Sequence, residues 1–170
     1  MMSYRGKSSC AVFVVGFSLF AGSILARDDV VLSVGGDVDR PGEWTIAELK
    51  ALPSEAVVVT DEQEKTAEYR CIKFQQLLER AGAVSGKAIS GERLMDYLVV
   101  TAADNYRVLF ALPELDASFA NRKFFLCHTK NGNPLPNEEG PLRVLVPDEG
   151  RHARWVRHAI ELTVQHMQAR

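Results

Sequence analysis

The chain has 170 residues, of which 46% are hydrophobic and 25% charged, with 20 Lys and Arg set against 22 Asp and Glu for a formal net charge of −2. That balance excludes a disordered chain, a collagen-like repeat and a strongly basic nucleic-acid binder. The length suits one domain large enough to bury a sizeable core.

The first ten residues, MMSYRGKSSC, carry Arg5 and Lys7 and no acid, and Ala11 to Ala26 follows without a charge. A basic start before a short apolar run has the form of a secretory signal peptide. The run falls short of the roughly 20 residues that a membrane-spanning helix needs. Residues 1–26 are therefore expected to be a signal peptide, cleaved after Ser23 or Ala26, and residues 27–170 a single exported domain, periplasmic or secreted. An uncleaved anchor is the alternative. Removal of Arg5 and Lys7 leaves 18 basic and 22 acidic residues, a net charge of −4, so no nucleic-acid partner is expected, nor membrane association after cleavage. Cys71 and Cys127 remain. An oxidising compartment permits a disulfide between them, and two buried free thiols are the other reading.

Along the mature chain, Val30 to Val34 reads as a β-branched strand, and Pro41-Gly42 marks a turn. Thr45-Ile46-Ala47-Glu48 has the pattern of a capping box, opening a short helix with Ile46, Leu49 and Leu52 on its apolar face and Pro53 as its stop. Ala56 to Thr60 reads as a buried strand, Asp61 to Glu68 as a solvated loop or hairpin tip, and Tyr69 to Ile72 as a strand. Phe74, Leu77, Leu78 and Ala81 fall at helical spacing, with Gly82 at the C-terminal cap. Ser85 to Arg93 reads as a loop. Tyr97 to Ala102 and Tyr106 to Leu112 form a hairpin through Ala103-Asp104-Asn105. Pro113 opens a short helix. Phe124 to Cys127, Leu142 to Pro147 and Ala159 to Val164 are the remaining strands, with a turn at Asn131-Gly132-Asn133-Pro134. Short strands with two or three short helices make an α+β fold with mixed or antiparallel sheets.

Five of these pieces, in this order, resemble the molybdopterin-binding domain of the sulfite oxidase family: VLSVGGDVDRPGEWTIAELKALP, YRCIKFQQLLERAG, DYLVVTAADNYRVLFAL, NGNPLPNEEGPLRVLVP and RWVRHAIELTV. The resemblance covers about residues 31–164 and is to small, exported, single-domain members. It implies a sulfite-oxidase-type fold and molybdopterin as cofactor. The family also supplies a cysteine thiolate to molybdenum, a soft ligand for that metal, from within or just past the strand matching Ala56 to Thr60. Residues 56–68, AVVVTDEQEKTAE, contain no cysteine. Cys71 stands where the family has the glycine of a Tyr-x-Gly-Val motif, roughly ten residues on, or about 33 Å of extended chain. The metal-ligating role is therefore carried over neither to Cys71 nor to Cys127.

The resemblance also implies contacts to the cofactor. Arg143 matches a basic position, Arg157 matches the lysine of a Val-Lys-Trp stretch, and Arg154 stands just before it. Asn105 and Tyr106 occupy a hairpin that faces the cofactor in the family. A guanidinium suits an anionic phosphate through its planar fork; the competing reading pairs Arg143 with an acid and leaves Arg154 and Arg157 in solvent. Trp44 and Trp155 are either pocket walls or peripheral core. His128, His152, His158 and His166 show no metal-binding spacing, so surface or capping positions are expected. No Gly-x-Ser-x-Gly, Gly-x-Gly-x-x-Gly or P-loop occurs. The preferred reading is an exported module that binds a small anionic ligand or a pterin and passes that occupancy to an envelope protein partner. A molybdopterin-dependent oxidoreductase and a ligand-free structural partner in an envelope complex are the alternatives.

Overall fold

The computed structural model describes residues 29–60 and 65–167, so the expected signal peptide lies outside the described residues. In chain order the elements are β1 (Val30–Gly36), β2 (Gly42–Thr45), α1 (Ile46–Lys50), β3 (Glu55–Thr60), β4 (Thr66–Lys73), α2 (Phe74–Ala81), β5 (Asp96–Ala102), β6 (Arg107–Ala111), α3 (Leu112–Leu115), β7 (Phe125–Lys130), β8 (Asn133–Pro134), β9 (Arg143–Leu145) and β10 (Ala159–His166).

Local chemistry sets most of these boundaries. The capping box is formed: the Glu48 amide donates to Thr45 Oγ1 at 3.2 Å, and the Thr45 amide donates to Glu48 Oε2 at 2.8 Å. Helix α2 buries Phe74, Leu77, Leu78 and Ala81 and stops at Gly82, whose φ of 75° is left-handed. Asn105 (φ 66°) turns the hairpin between β5 and β6.

Two sheets result. In the first the order is β2-β1-β10-β5-β6. Its central pair, β1 and β10, is parallel, and every other pair is antiparallel. The parallel pairing carries β1 on to Gly36, past the expected end at Val34. There a Cβ would stand 1.9 Å from the Val164 carbonyl oxygen, so only glycine fits. The second sheet is antiparallel, in the order β3-β4-β7-β8, with β9 also on β7. Both sheets feed one core. Phe110 of β6 meets Phe74 and Phe124 edge-to-face, at 5.9 and 5.3 Å between ring centroids.

Three expectations need correction. Thr66 to Glu68, expected within a polar loop or hairpin tip, begin β4, because they pair with Val58 to Thr60 of β3. Strand β3 is not buried throughout. It lies at a sheet edge and alternates, with Val57 and Val59 inside and Val58 63% exposed, because one of its faces meets solvent. The segment expected as a loop after α2 contains two single turns of 3-10 helix, Gly86–Ala88 and Gly91–Met95.

Candidate functional site

The site begins with a lateral row of four residues in the second sheet. Cys71 of β4 is opposite Cys127 of β7, Cys127 is opposite Arg143 of β9, and Arg143 forms a bridge with Arg157. Residues directly opposite each other project to the same face. Cys71 and Cys127 are joined in a disulfide, and both are fully buried. The two arginines stand beside it.

Arg143 is itself buried, and a polar network holds it. Its Nη1 donates to Glu139 Oε2 at 2.6 Å and to Tyr69 Oη at 3.2 Å. Tyr69 Oη donates in turn to Glu139 Oε2 at 3.0 Å, and Lys130 Nζ donates to Glu139 Oε1 at 2.5 Å. Burial pushes the Glu139 carboxyl up, but the hydrogen bonds from Lys130 and Arg143 and the charge of Arg143 outweigh it and hold the group below its ordinary value. Burial also raises the Tyr69 phenol. The Lys130 ammonium is pushed down by burial, yet its bonds to Glu139 and Tyr69 leave it raised. The guanidinium carbon of Arg143 lies 5.7 Å from the Tyr69 ring centroid and 5.8 Å from that of Trp155. Arg143 Nε is buried without a hydrogen-bond partner among the described residues.

A close backbone approach delivers Glu139 to this position. The His158 amide donates to the Glu139 carbonyl at 3.0 Å. At Gly140 (φ 104°) a Cβ would stand 2.7 Å from the His158 Cα. Any larger residue would push the Glu139 turn away from Arg143.

Above the floor is a cavity of about 710 Å³, a volume suited to a small-molecule ligand. The β5–β6 hairpin supplies one wall through Ala102, Asp104 and Tyr106, and the segment entering β10 supplies the other through His152, Trp155, Arg157 and His158. Tyr106 Oη donates to the Ala153 carbonyl at 2.8 Å, tying the two walls together. His152 stacks on Trp155 with ring centroids 3.6 Å apart. A side lobe of about 210 Å³ shares Lys65, Lys130, Arg143 and Trp155 and adds Thr66 and Asn131, with no carboxylate in its lining among the described residues. Arg157 is exposed to the cavity, and among the described residues its guanidinium has no partner.

Of the five candidate contact residues, Arg143, Arg157 and Tyr106 line the cavity. Arg154 does not. It is bonded to the Glu114 and Glu149 carboxylates and the Leu109 carbonyl, and lies over the Phe110 ring. Asn105 also stands outside the lining and makes the left-handed turn of the hairpin. Trp155 is a cavity wall, whereas Trp44 packs beside the core. Sequence reasoning missed Tyr69, Lys130 and Glu139. Their only signal was the Glu139-Gly140 pair four and three residues ahead of Arg143. The histidines need a correction. His128 is 5% exposed, because β7 is flanked by β4 on one side and by β8 and β9 on the other; His152 and His158 line the cavity rather than standing free on the surface.

This donor set fits the phosphate end of a molybdopterin: a buried, oriented guanidinium with an unpartnered Nε, a guanidinium beside it that is unpaired among the described residues, and a side lobe lined by cations and, among the described residues, free of carboxylates. It does not fit a molybdenum anchored by a protein thiolate. Among the described residues no cysteine lines the cavity, and Cys71 and Cys127 are bonded to each other.

Two sheets around one core, with an arginine-floored cavity where a hairpin meets the last strand, define an α+β domain of the sulfite-oxidase type. Residues 21–169 match the oxidoreductase molybdopterin binding domain family, and the chain belongs to that family. Among solved structures it is similar to the sulfane dehydrogenase SoxCD from Paracoccus pantotrophus, at 20% identity and a TM-score of 0.62, over 81% of this chain and 38% of that one. The chain thus spans well under half the length of that relative. No curated protein sequence matches it.

Proposed function

We propose that this domain is an exported binding module that holds a small anionic ligand, of the pterin-phosphate type, between Arg143 and Arg157, and that it has no thiolate-anchored molybdenum centre. The observation that carries the reading is the pair of adjacent arginines. Arg143 is neutralised and fixed by Glu139. Arg157, next to it across the bridge, has no such partner among the described residues. An unpaired guanidinium at the wall of a concave site is a ready anion receptor. Arg143 then acts chiefly as the rigid floor, with Tyr106 and Trp155 as walls.

The absence of a cysteine from residues 56–68, together with the sealed disulfide, supports a role that does not run through a protein thiolate. Export belongs to the same proposal and rests on the basic and apolar N-terminal segment.

The test has two arms. Purified full-length protein is analysed for molybdenum and released pterin, and inorganic phosphate is titrated into the wild type and Arg157→Gln. We expect no stoichiometric molybdenum and a loss of phosphate affinity of about tenfold in the variant, the size of one charged hydrogen bond. Its stability should stay within about 0.5 kcal/mol, because Arg157 is exposed. Stoichiometric molybdenum overturns the reading in favour of an oxidoreductase. Equal phosphate binding by both proteins removes Arg157 from the site.

A further inference from the structure

A second cleft, of about 440 Å³, opens where α1, β7 and the turn before β9 meet, and adjoins the main cavity at His158, which lines both. His128 lines it from β7. Its side chain is buried, and neither ring nitrogen has a hydrogen-bond partner among the described residues. Burial, and then the charges of Lys50 and Arg70, push the His128 imidazole down, so at neutral pH it carries no charge. A neutral imidazole offers one N–H donor and one lone pair. Leaving both unmade in the interior is costly, which makes such a group a pointer to a missing partner.

The rest of the lining says what that partner is. Lys50, at the end of α1, is exposed and has no ion-pair partner among the described residues. Among the described residues no Asp or Glu lines the cleft. Ile46, Pro134, Leu135 and Pro141 supply its apolar surface, Asn137 adds an amide, and Gly140 and His158 complete the lining. One ammonium matches one negative charge. The apolar surface matches a hydrocarbon body rather than a bare inorganic ion. A cation is disfavoured by Lys50, and the described residues nowhere gather three His, Cys, Asp or Glu side chains into a metal site. We propose that this cleft is a second binding site, separate from the arginine cavity, for a small carboxylate with an apolar body. In it the carboxylate pairs with Lys50, and the N–H of the neutral His128 ring donates a hydrogen bond to a carboxylate oxygen.

The full-length protein, with its histidines labelled with 15N, is titrated with butyrate and, separately, with inorganic phosphate, and the His128 ring-nitrogen signals are followed by NMR. Butyrate should move them saturably and phosphate should not. Lys50→Gln should weaken the butyrate response about tenfold or more, whereas Arg157→Gln, which sits in the other cavity, should leave it unchanged. His128→Phe should abolish butyrate binding measured by calorimetry and keep the phosphate binding of the main cavity. A His128 signal that butyrate fails to move, that moves equally in Lys50→Gln, or that phosphate moves more strongly than butyrate overturns the proposal. Because the two variants act on different cavities, its failure is distinguishable from failure of the phosphate site at Arg157.

Discussion

The two sheets reach their order by different routes. In the first, β5 and β10 are seven and eight residues long and share seven registered pairs, and β5 alternates buried with half-buried positions along its whole length. In the second, β8 and β9 have only two and three residues, too few ladder bonds to set their own position. Side chains do that work instead: the Glu139 network, which ties Arg143 of β9 to Tyr69 and Lys130, and Trp155 Nε1, which donates to the Val146 carbonyl at 3.0 Å, while the Cys71–Cys127 disulfide ties the neighbouring β4 and β7. The main cavity is floored by the second kind of region. A floor made of short strands and specific ties can place a buried guanidinium where a regular ladder would leave a plain pleat. It also concentrates the cost of damage in a few residues.

The largest effect expected from this contrast is at Glu139. Glu139→Ala leaves Arg143 buried without its counter-charge, and should cost about 3–5 kcal/mol by denaturant unfolding. A loss below about 1 kcal/mol would mean that the floor does not depend on the pair. Next comes the covalent tie. The disulfide closes a loop of 56 residues, for which chain entropy predicts about 4 kcal/mol. The Cys71→Ser, Cys127→Ser double variant should lose stability on that scale. If hydrogen exchange showed the loss spread evenly over both sheets, the distinction between them would fail.

Acid should act on the same region. The Glu139 carboxyl is depressed in the folded state, so its contribution is complete above the ordinary carboxylate value of 4.5 and is lost as pH falls below it, through the folded value. The His128 imidazole is depressed from 6.5, so the unfolded chain takes up its proton first and stability already declines as pH drops below 6.5. Stability measured against pH should therefore fall in two stages. His128→Phe should erase the upper stage, and Glu139→Gln the lower one.

The smallest effect is expected beside the first sheet, at a purely local device. Thr45→Ala breaks the capping box of α1 and should cost about 1 kcal/mol, leaving phosphate binding in the main cavity untouched.

How far these features were legible follows from the range of the interactions behind them. The capping box at Thr45, the left-handed Gly82, the amphipathic α2 and the β5–β6 hairpin are encoded within a few residues of sequence, and each appears where its pattern lies. The alternation of β3 was missed because Ala56 to Thr60 is apolar on both faces, and only its edge position exposes one of them. Arg143 and Arg157 were identified through the order of the family's motifs. That the first is paired and the second is not could not be read, because the acid that decides it, Glu139, is aimed by the contact of Gly140 with His158.

The amino-acid sequence by itself determined the α+β class, most element boundaries and the family, since each is a matter of short-range periodicity or of motif order. Only the tertiary structure decided that the two cysteines meet, that Arg154 braces a wall instead of facing the cavity, and that His128 is buried with both nitrogens unpartnered. Those outcomes depend on which elements become neighbours, and contacts across 40 (Arg154 to Glu114) or 56 residues (Cys71 to Cys127) leave no local trace in the chain.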